Sequence, residues 1–285
     1  MTKTTKTRTE HWTRRLFVEN AQVYLPFLES AEDRAEAEVE ALAKLFGRYR
    51  VPKGGRILDA ACGLGRHAIP LALRSYRVAG LDVSPHFLRI ARERAESAGA
   101  SVEFVEGDLF RATSVLKDYP PFDVVISMFT SHGYWGRDAD VRLFGQLRAL
   151  AKPGALLVVS TIHLEWLETV FEDEVVDIAG PYRLYQRGEL AEHGGALYGE
   201  RFYFEGNGDG TRLRLRVDME HQLYDQTDLA AVLAEAGWEV AESFGSSRGP
   251  DMALGPLMPG SMTMWMVARP QQMTPPRRKC SVQAR

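Results

Sequence analysis

The stretch Arg56–Ala68, with the sequence RILDAACGLGRHA, constrains the fold of this chain more than any other. Its apolar run ends at Asp59, a turn containing Gly63 and Gly65 follows, and a helical pattern begins at once. A strand, a glycine turn and a helix in succession place bare backbone and a helix N-terminus at the carboxyl edge of a sheet. The segment therefore predicts a ligand site at that edge.

Acidic residues also end the next two apolar runs, at Asp82 and Asp108. Because parallel strands bring their carboxyl ends to one edge of a sheet, these acids should lie near Asp59. Asp82 can accept hydrogen bonds from both hydroxyls of a ribose, and Asp108 can accept one from the amine of adenine. Val83 and Leu109, each next to an acid, can enclose the ring. The pattern predicts a nucleoside pocket, which we interpret as a site for S-adenosylmethionine.

Strands and helices alternate over most of the chain, which is typical of a doubly wound parallel sheet with right-handed crossovers. Between about 171 and 224 the pattern changes to shorter runs of period two, typical of an antiparallel sheet with one exposed face. A hairpin turn is expected at Asn207–Gly210. We predict an N-terminal helical lid (1–50), an α/β core (51–170 and 225–270), an antiparallel insertion (171–224) and a disordered tail (271–285).

Composition narrows the class of function. The 35 basic and 38 acidic residues nearly balance, so a nucleic-acid partner is not favoured. Cys62 and Cys280 form no disulfide or zinc pattern, and no metal is expected. The first residues lack the apolar run of a signal peptide, and no run approaches the roughly 20 residues of a membrane span. The sequence therefore predicts a cytoplasmic protein without a membrane segment.

A dinucleotide site is the competing interpretation of the glycine turn. Gly63-Leu-Gly-Arg-His-Ala68 also fits the dinucleotide fingerprint, and Asp82 lies at the spacing of its ribose acid. Asp59, however, would crowd a pyrophosphate, whereas it suits the amino end of a methionine moiety. A dehydrogenase of this size also usually needs a larger second domain.

Four motifs resemble those of class I S-adenosylmethionine-dependent methyltransferases. They are Ile57–Gly65, Leu81–Ser84, Gly107-Asp108 and Phe122–Ser127, and the resemblance covers residues 56–165 and 225–269. Ala61 departs from it, since the family often has glycine there. The segment Met128–Trp135 is similar to the small-molecule (type 11/25-like) branch, with His132 in place of an aromatic residue. The resemblance implies a seven-stranded sheet with the last strand antiparallel, a helical lid, and direct methyl transfer.

We expect the cofactor to contact residues of the glycine turn, of the strand ends and of the lid. Arg66 is expected to pair with the cofactor carboxylate, an exposed salt bridge being the alternative. The predicted cofactor-binding residues are Asp59, Ala61, Gly63, Gly65, Arg66, Asp82, Val83, Asp108, Leu109, Met128 and Tyr24.

Three residues near the ends of the fourth and fifth strands are catalytic candidates. His132 and His163 can act as bases toward a protonated acceptor, and Tyr134 can face the methyl-bearing cation. The alternative for His132 is a loop cap or a contact with the cofactor, and the alternative for Tyr134 is packing in the lid. A base is required only if the acceptor arrives protonated.

The sequence thus predicts methyl transfer to a nitrogen or oxygen of a small molecule. The alternatives are an NAD(P)-dependent oxidoreductase and a nucleoside-binding protein without turnover. In the insertion, Arg183, Arg187 and Arg201 can hold a carboxylate or phosphate, or can form a solvated face. The insertion can also mediate a homodimer.

Overall fold

The computed structural model describes residues 11–191, 195–206, 210–247 and 252–272. Residues 1–10, the centre of the predicted hairpin turn (207–209) and most of the predicted tail (273–285) lie outside the described residues.

A mostly parallel sheet of eight strands forms the centre of the molecule. In spatial order it runs β3-β2-β1-β4-β5-β12-β10-β11. Its strands are β1 (Arg56–Ala60), β2 (Arg77–Asp82), β3 (Val102–Glu106), β4 (Phe122–Ser127), β5 (Ala151–Ile162), β10 (Trp238–Ser246), β11 (Gly255–Pro256) and β12 (Thr263–Pro270). The first five are mutually parallel, and β12 lies antiparallel between β5 and β10. The predicted fold class is confirmed, with β11 as an eighth strand beyond the expected seven.

Helices cover both faces of this sheet and form the N-terminal segment. They are α1 (Trp12–Arg14), α2 (Ala21–Glu29), α3 (Ala35–Arg48), α4 (Ala68–Leu73), α5 (Pro85–Ala98), α6 (Ala112–Val115), α7 (Arg137–Leu150), α8 (Leu164–Val170) and α9 (Gln226–Glu235). One π-helical turn (Arg15–Glu19) joins α1 to α2, and 3₁₀ turns lie at Glu32–Arg34 and Leu109–Arg111.

Capping residues explain where several helices begin and end. Ser84 caps α5 through Phe87 N, and Gly99 ends it in the left-handed region at φ 67°. Helix α9 is capped by Asp225, whose Oδ1 accepts from Asp228 N at 2.7 Å. The helix after the glycine turn begins at Ala68, three residues later than the pattern predicts, because the turn itself occupies those residues.

Apolar clusters lie on each face of the central sheet. Strand β4 contributes to both, since Val125 packs toward α7 and α9 while Val124 and Ile126 pack toward α3 and α4. A strand buried on both faces is apolar almost throughout, as the sequence of β4 predicts.

A separate antiparallel sheet forms the insertion. It comprises β6 (Glu174–Ala179), β7 (Tyr182–Leu190), β8 (Ala196–Glu205) and β9 (Arg212–Gln222) in sequential order. Its covered face packs against the N-terminal helices through residues such as Leu16, Phe27 and Tyr203. The opposite face is solvated and carries exposed apolar side chains, Val176 and Ile178 each at 62%.

Within the described residues, no helix combines the length and apolarity that crossing a bilayer requires. Over the same ranges, no three His, Cys, Asp or Glu side chains converge in a way that would hold a metal ion.

Candidate functional site

A cavity of about 440 Å³ opens at the carboxyl edge of β1, β2 and β4. Its floor is formed by the turns that follow these strands. Its cover is formed by the N-terminal segment, which contributes Thr13, Phe17, Tyr24 and Leu28. The volume is within the range of pockets that hold a single small molecule.

Asp82 organises the glycine turn. Its Oδ2 accepts a hydrogen bond from Gly63 N, and its Oδ1 accepts one from Ser84 N, both at 2.8 Å. A further hydrogen bond from Val83 N still leaves acceptor capacity on this carboxylate for a ligand. Burial raises the pKa of Asp82, while the hydrogen bonds from Ser84 and Gly63 oppose the rise. Two residues of this turn, Gly63 and Ala61, line the cavity. Both have a left-handed backbone conformation, with φ of 54° and 63°.

Two of the predicted cofactor-binding residues lie beneath the cavity wall and do not line it. A Cβ on Gly65 would meet the Phe104 ring at 3.0 Å, so Gly65 serves the packing of the turn on β3. Asp59 is 1% exposed, and its Oδ2 has no hydrogen-bond partner among the described residues. Burial raises the pKa of Asp59 to about 7, against the lowering effect of Arg66.

The strand-end residues form the other side of the floor. Asp108 lines the cavity, and its Oδ1 accepts from Phe110 N at 2.9 Å as the cap of the following 3₁₀ turn. Leu109 lines the cavity beside it. Val83 also lines it and is 42% exposed, which is unusual for an apolar residue beside a buried strand. An apolar surface flanked by two carboxylates suits an adenosine.

Arg66 belongs to a buried ion cluster with Glu38 of α3. Its Nη1 lies 2.8 Å from Glu38 Oε2 and also donates to Ala31 O at 3.1 Å. His67 Nε2 lies 2.7 Å from the same Glu38 oxygen, and both Arg66 and His67 line the cavity. Burial lowers the pKa of His67 to about 4. Arg66 Nη2 is buried without a partner among the described residues, which leaves a donor for an anionic group.

The loop after β4 contains two successive residues in the left-handed region, Phe129 and Thr130, with φ of 60° and 57°. Both line the cavity together with Met128. The guanidinium groups of Arg34 and Arg66 lie over the Phe129 ring, 4.5 and 5.2 Å from its centroid. Because neither Phe129 nor Thr130 is a glycine, this backbone conformation is strained and must be stabilised by contacts with its surroundings. The cation–π contacts of Phe129 contribute to that stabilisation.

The structure does not bring His132 to the cavity. The strained backbone and the bonds from Gly133 N to Asp140, both 3.0 Å, turn the ring inward against Phe144 and Tyr224. The residue is 1% exposed, and neither ring nitrogen has a partner among the described residues. Burial lowers the pKa of His132 to about 3. A ring in this place is neutral and does not reach an acceptor in the cavity.

His163 also lies away from the cavity wall. It precedes α8, is 2% exposed, and its Nδ1 lies 3.1 Å from Ser261 O. This contact fastens β5 to the segment before β12.

Of the three catalytic candidates, only Tyr134 lines the cavity. Its ring packs edge-on against Trp12 at 5.0 Å and lies 5.2 Å from the His221 ring. Burial raises the pKa of Tyr134 well above its ordinary value, while a hydrogen bond with Thr130 opposes the rise. Tyr134 is therefore a neutral phenol at physiological pH.

Several wall residues were missed by sequence reasoning, notably Phe129 and His67, together with Glu38 behind them. Glu38 lies on α3, far from the glycine turn in sequence, and no local pattern marks its contact with Arg66. An acid on the otherwise apolar face formed by Val39 and Leu42 was the available signal.

Comparison with known proteins relates part of this chain to methyltransferases. Residues 57–154 match the family model described as a methyltransferase domain. A ubiquinone biosynthesis O-methyltransferase from Methylocella silvestris is 32% identical over 125 residues, which cover 44% of this chain and 46% of that protein. The chain spans about half the length of the relatives it matches.

Solved structures show the same fold over most of the chain. An S-adenosylmethionine-dependent methyltransferase from Clostridium acetobutylicum superposes with a TM-score of 0.71 at 14% identity, covering 89% of this chain and 98% of that one. The sugar N-methyltransferase KedS8 from Streptoalloteichus gives 0.63 at 20% identity, covering 87% and 93%. These matches confirm the fold that the resemblance in the sequence implies.

Proposed function

We propose that this chain, which contains a class I S-adenosylmethionine-dependent methyltransferase domain, transfers a methyl group to a nitrogen or oxygen of a small molecule. The observation that carries the proposal is the single cavity in which Asp82, Asp108 and the glycine turn face an aromatic cover. One end of that cavity suits adenosine, and the rest leaves room for an acceptor.

The residues of the floor fit the cofactor. The free lone pairs of Asp82 accept the ribose hydroxyls, and Val83 and Leu109 hold the adenine ring beside Asp108. The unpartnered Nη2 of Arg66 supplies a donor for the carboxylate of the methionine moiety. Asp59, buried with an unpartnered oxygen, favours the ammonium group from beneath the turn.

The bound cofactor supplies an electrophilic methyl group on a sulfonium. The chain's contribution is to hold an acceptor in line with that methyl group, at about 3 to 3.5 Å. Tyr134 and Trp135 wall the cavity on the acceptor side and exclude water from it. With its raised pKa, Tyr134 orients the acceptor as a hydrogen-bond donor and does not remove its proton. A neutral amine needs no base before transfer, and its surplus proton passes to solvent afterwards. An acceptor oxygen needs no base when it arrives deprotonated, as a carboxylate or phenolate, and S-adenosylhomocysteine is the leaving group in both cases.

Relatives and neighbours support a small acceptor. Those described above carry the names of an O-methyltransferase and a sugar N-methyltransferase. The cavity volume of about 440 Å³ suits a cofactor and a compact acceptor better than a polymer.

The experiment is a calorimetric titration with S-adenosylhomocysteine and, separately, with NADH. Micromolar binding of the first and none of the second is expected, and the reverse would support the oxidoreductase alternative. A screen of amines, phenols and carboxylates with labelled S-adenosylmethionine then tests turnover. Cofactor binding without any methylated product would favour a nucleoside-binding protein.

Self-association through the solvated face of the insertion sheet is part of the proposal. Val176, Ile178 and Leu213 are exposed there among charged side chains. Analytical ultracentrifugation of the wild-type chain and of a Val176→Lys/Ile178→Lys variant tests this. The wild type should form a dimer and the variant should not. A dimer that persists in the variant would count against this face.

A further inference from the structure

Arg201 differs from most arginines of the insertion sheet in the face it occupies. It pairs in register with Val217 of β9, a residue of the covered face, and is itself half-buried. Its Nε donates to Gln186 Oε1 at 3.1 Å. Within the described ranges it makes no ion pair with a carboxylate. A cation facing the covered side without a carboxylate partner is costly unless something else neutralises it.

Three exposed arginines of the insertion sheet are paired with carboxylates. Arg187 Nη2 lies 2.5 Å from Glu200 Oε2, Arg216 pairs with the other oxygen of Glu200, and Arg214 Nε lies 3.2 Å from Glu205. The sequence suggests an anion-binding role for three arginines of the insertion. Arg183 is exposed and Arg187 is paired with Glu200, so Arg201 is the candidate for binding an anion on the covered side.

Buried donors without acceptors accompany Arg201 on the covered side. The Tyr203 hydroxyl, in a residue that is 0% exposed, is close enough to Arg201 for a hydrogen bond from the guanidinium to lower its pKa, but its own proton has no acceptor among the described residues. The protons on Trp12 Nε1, in a residue 7% exposed, and on Trp135 Nε1 likewise have no acceptor there. An indole nitrogen and a guanidinium only donate, so the group that would satisfy this set is rich in acceptor oxygens.

The set adjoins the cavity through aromatic residues of its wall. Tyr134 contacts the rings of Trp12 and Trp135, with centroid distances of 5.0 and 5.8 Å. Tyr24 and Tyr134 of the cavity wall also pack against the covered-face cluster that contains Tyr203 and Val217, and Val217 is the register partner of Arg201. Arg201 does not itself line the cavity, but its charge opposes the rise in the pKa of both Tyr134 and Tyr203. The covered-face cluster therefore connects the position of Arg201 to the side of the cavity where Tyr134 lies.

We propose that the methyl acceptor carries a carboxylate or phosphate group, which Arg201 binds at the insertion-sheet end of the cavity beside Tyr24 and Tyr134. The inference rests on the proposed function, because it names the class of acceptor for the same site. A forked guanidinium binds either oxyanion through two parallel hydrogen bonds, and phenol and indole donors complete the coordination.

The test measures binding of benzoate, phenyl phosphate and the neutral benzamide to the protein saturated with S-adenosylhomocysteine. Titration calorimetry on the wild type, Arg201→Gln, Arg201→Lys and the exposed-face control Arg183→Gln is the method. At least one anion should bind about tenfold more tightly than benzamide, and the anion that binds identifies carboxylate or phosphate as the group recognised. Arg201→Gln should abolish the preference, Arg201→Lys should retain part of it, and Arg183→Gln should leave it unchanged.

Three results would overturn the inference: no anion binding to the wild type, equal binding of benzamide, or an unchanged preference in Arg201→Gln. If Arg201→Gln no longer binds S-adenosylhomocysteine, the variant cannot be compared with the wild type. The affinities of the wild type for the two anions and for benzamide then decide whether the site prefers an anion. Failure of the proposed function can be told apart from failure of this inference. If the chain is not a methyltransferase, the wild type should not bind S-adenosylhomocysteine at all. If only the inference fails, the wild type binds S-adenosylhomocysteine but shows no preference for anions.

Discussion

Gly63 donates its backbone N–H to the carboxylate of Asp82 over 2.8 Å, which ties the turn after β1 to the end of β2. The same carboxylate accepts from Ser84 N and so also sets the start of α5. Asp82 thus shapes the cavity floor and offers its remaining lone pairs to a ligand.

Replacing Asp82 by Asn should weaken S-adenosylhomocysteine binding by about 1.5 to 3 kcal/mol, the range for hydrogen bonds to a charged group. Asn keeps an acceptor for one backbone N–H, which limits the damage to the turn. Calorimetry measures the loss. Asp123→Asn is the matched control, because Asp123 bonds to Arg56 N and Lys152 at the start of β4, away from the cavity wall. Equal affinities of Asp82→Asn and wild type would refute the ribose assignment.

Arg66→Gln should separate the two halves of the cofactor. The variant should lose about tenfold in affinity for S-adenosylhomocysteine and little for 5′-methylthioadenosine, which lacks the amino-acid moiety, because the unpartnered Arg66 Nη2 is the donor proposed for the carboxylate of that moiety. Competition binding with both ligands checks this. A parallel loss for the two ligands would mean that Arg66 only supports the fold through Glu38.

His132→Phe should stabilise the protein and leave turnover unchanged. It removes two buried ring nitrogens without partners, for a gain of about 1 kcal/mol at pH 7. Thermal unfolding measures the gain. A large fall in turnover with normal cofactor binding would instead restore His132 as a catalytic base.

The same variant should be less sensitive to acid. The pKa of His132 is about 3 when folded and about 6.5 when unfolded, so below pH 6.5 the unfolded state binds the proton that the folded state refuses. The associated stability is complete above pH 6.5 and falls as the pH drops toward 3. His67 and His221, with pKa values lowered to about 4, act in the same direction in both proteins. The melting temperature should therefore drop less between pH 7 and 5 in His132→Phe than in wild type.

Gly133→Ala should destabilise the protein by about 2 kcal/mol or more, because a Cβ there would collide with Gln222 O and the His221 ring at a φ of 86°. Gly136→Ala shares a φ of 80° but meets nothing within 4 Å, so it should cost only about 1 kcal/mol of backbone strain. Urea unfolding compares the two. Similar losses of unfolding free energy in the two variants would show that the close contact of Gly133 with β9 contributes little to stability.

The strand ends were predictable because each combines an apolar run with an acid or glycine, and that local pattern fixes both the strand and its edge. Asp82 and Asp108 accordingly lie where the sequence indicates. The place of His132 was not predictable, because it depends on left-handed Phe129 and Thr130 and on a bond to Asp140 of α7. The contact of Glu38 with Arg66 likewise forms only when the N-terminal helices close over the turn.

The central claim is that the carboxyl edge of the sheet binds S-adenosylmethionine, and a crystal structure with S-adenosylhomocysteine tests it most directly. The account predicts the ribose hydroxyls on Asp82, the adenine between Val83 and Leu109, and the thioether sulfur facing Tyr134. Density for the nucleoside at any other place in the fold, or none in this cavity at saturating ligand, would contradict it.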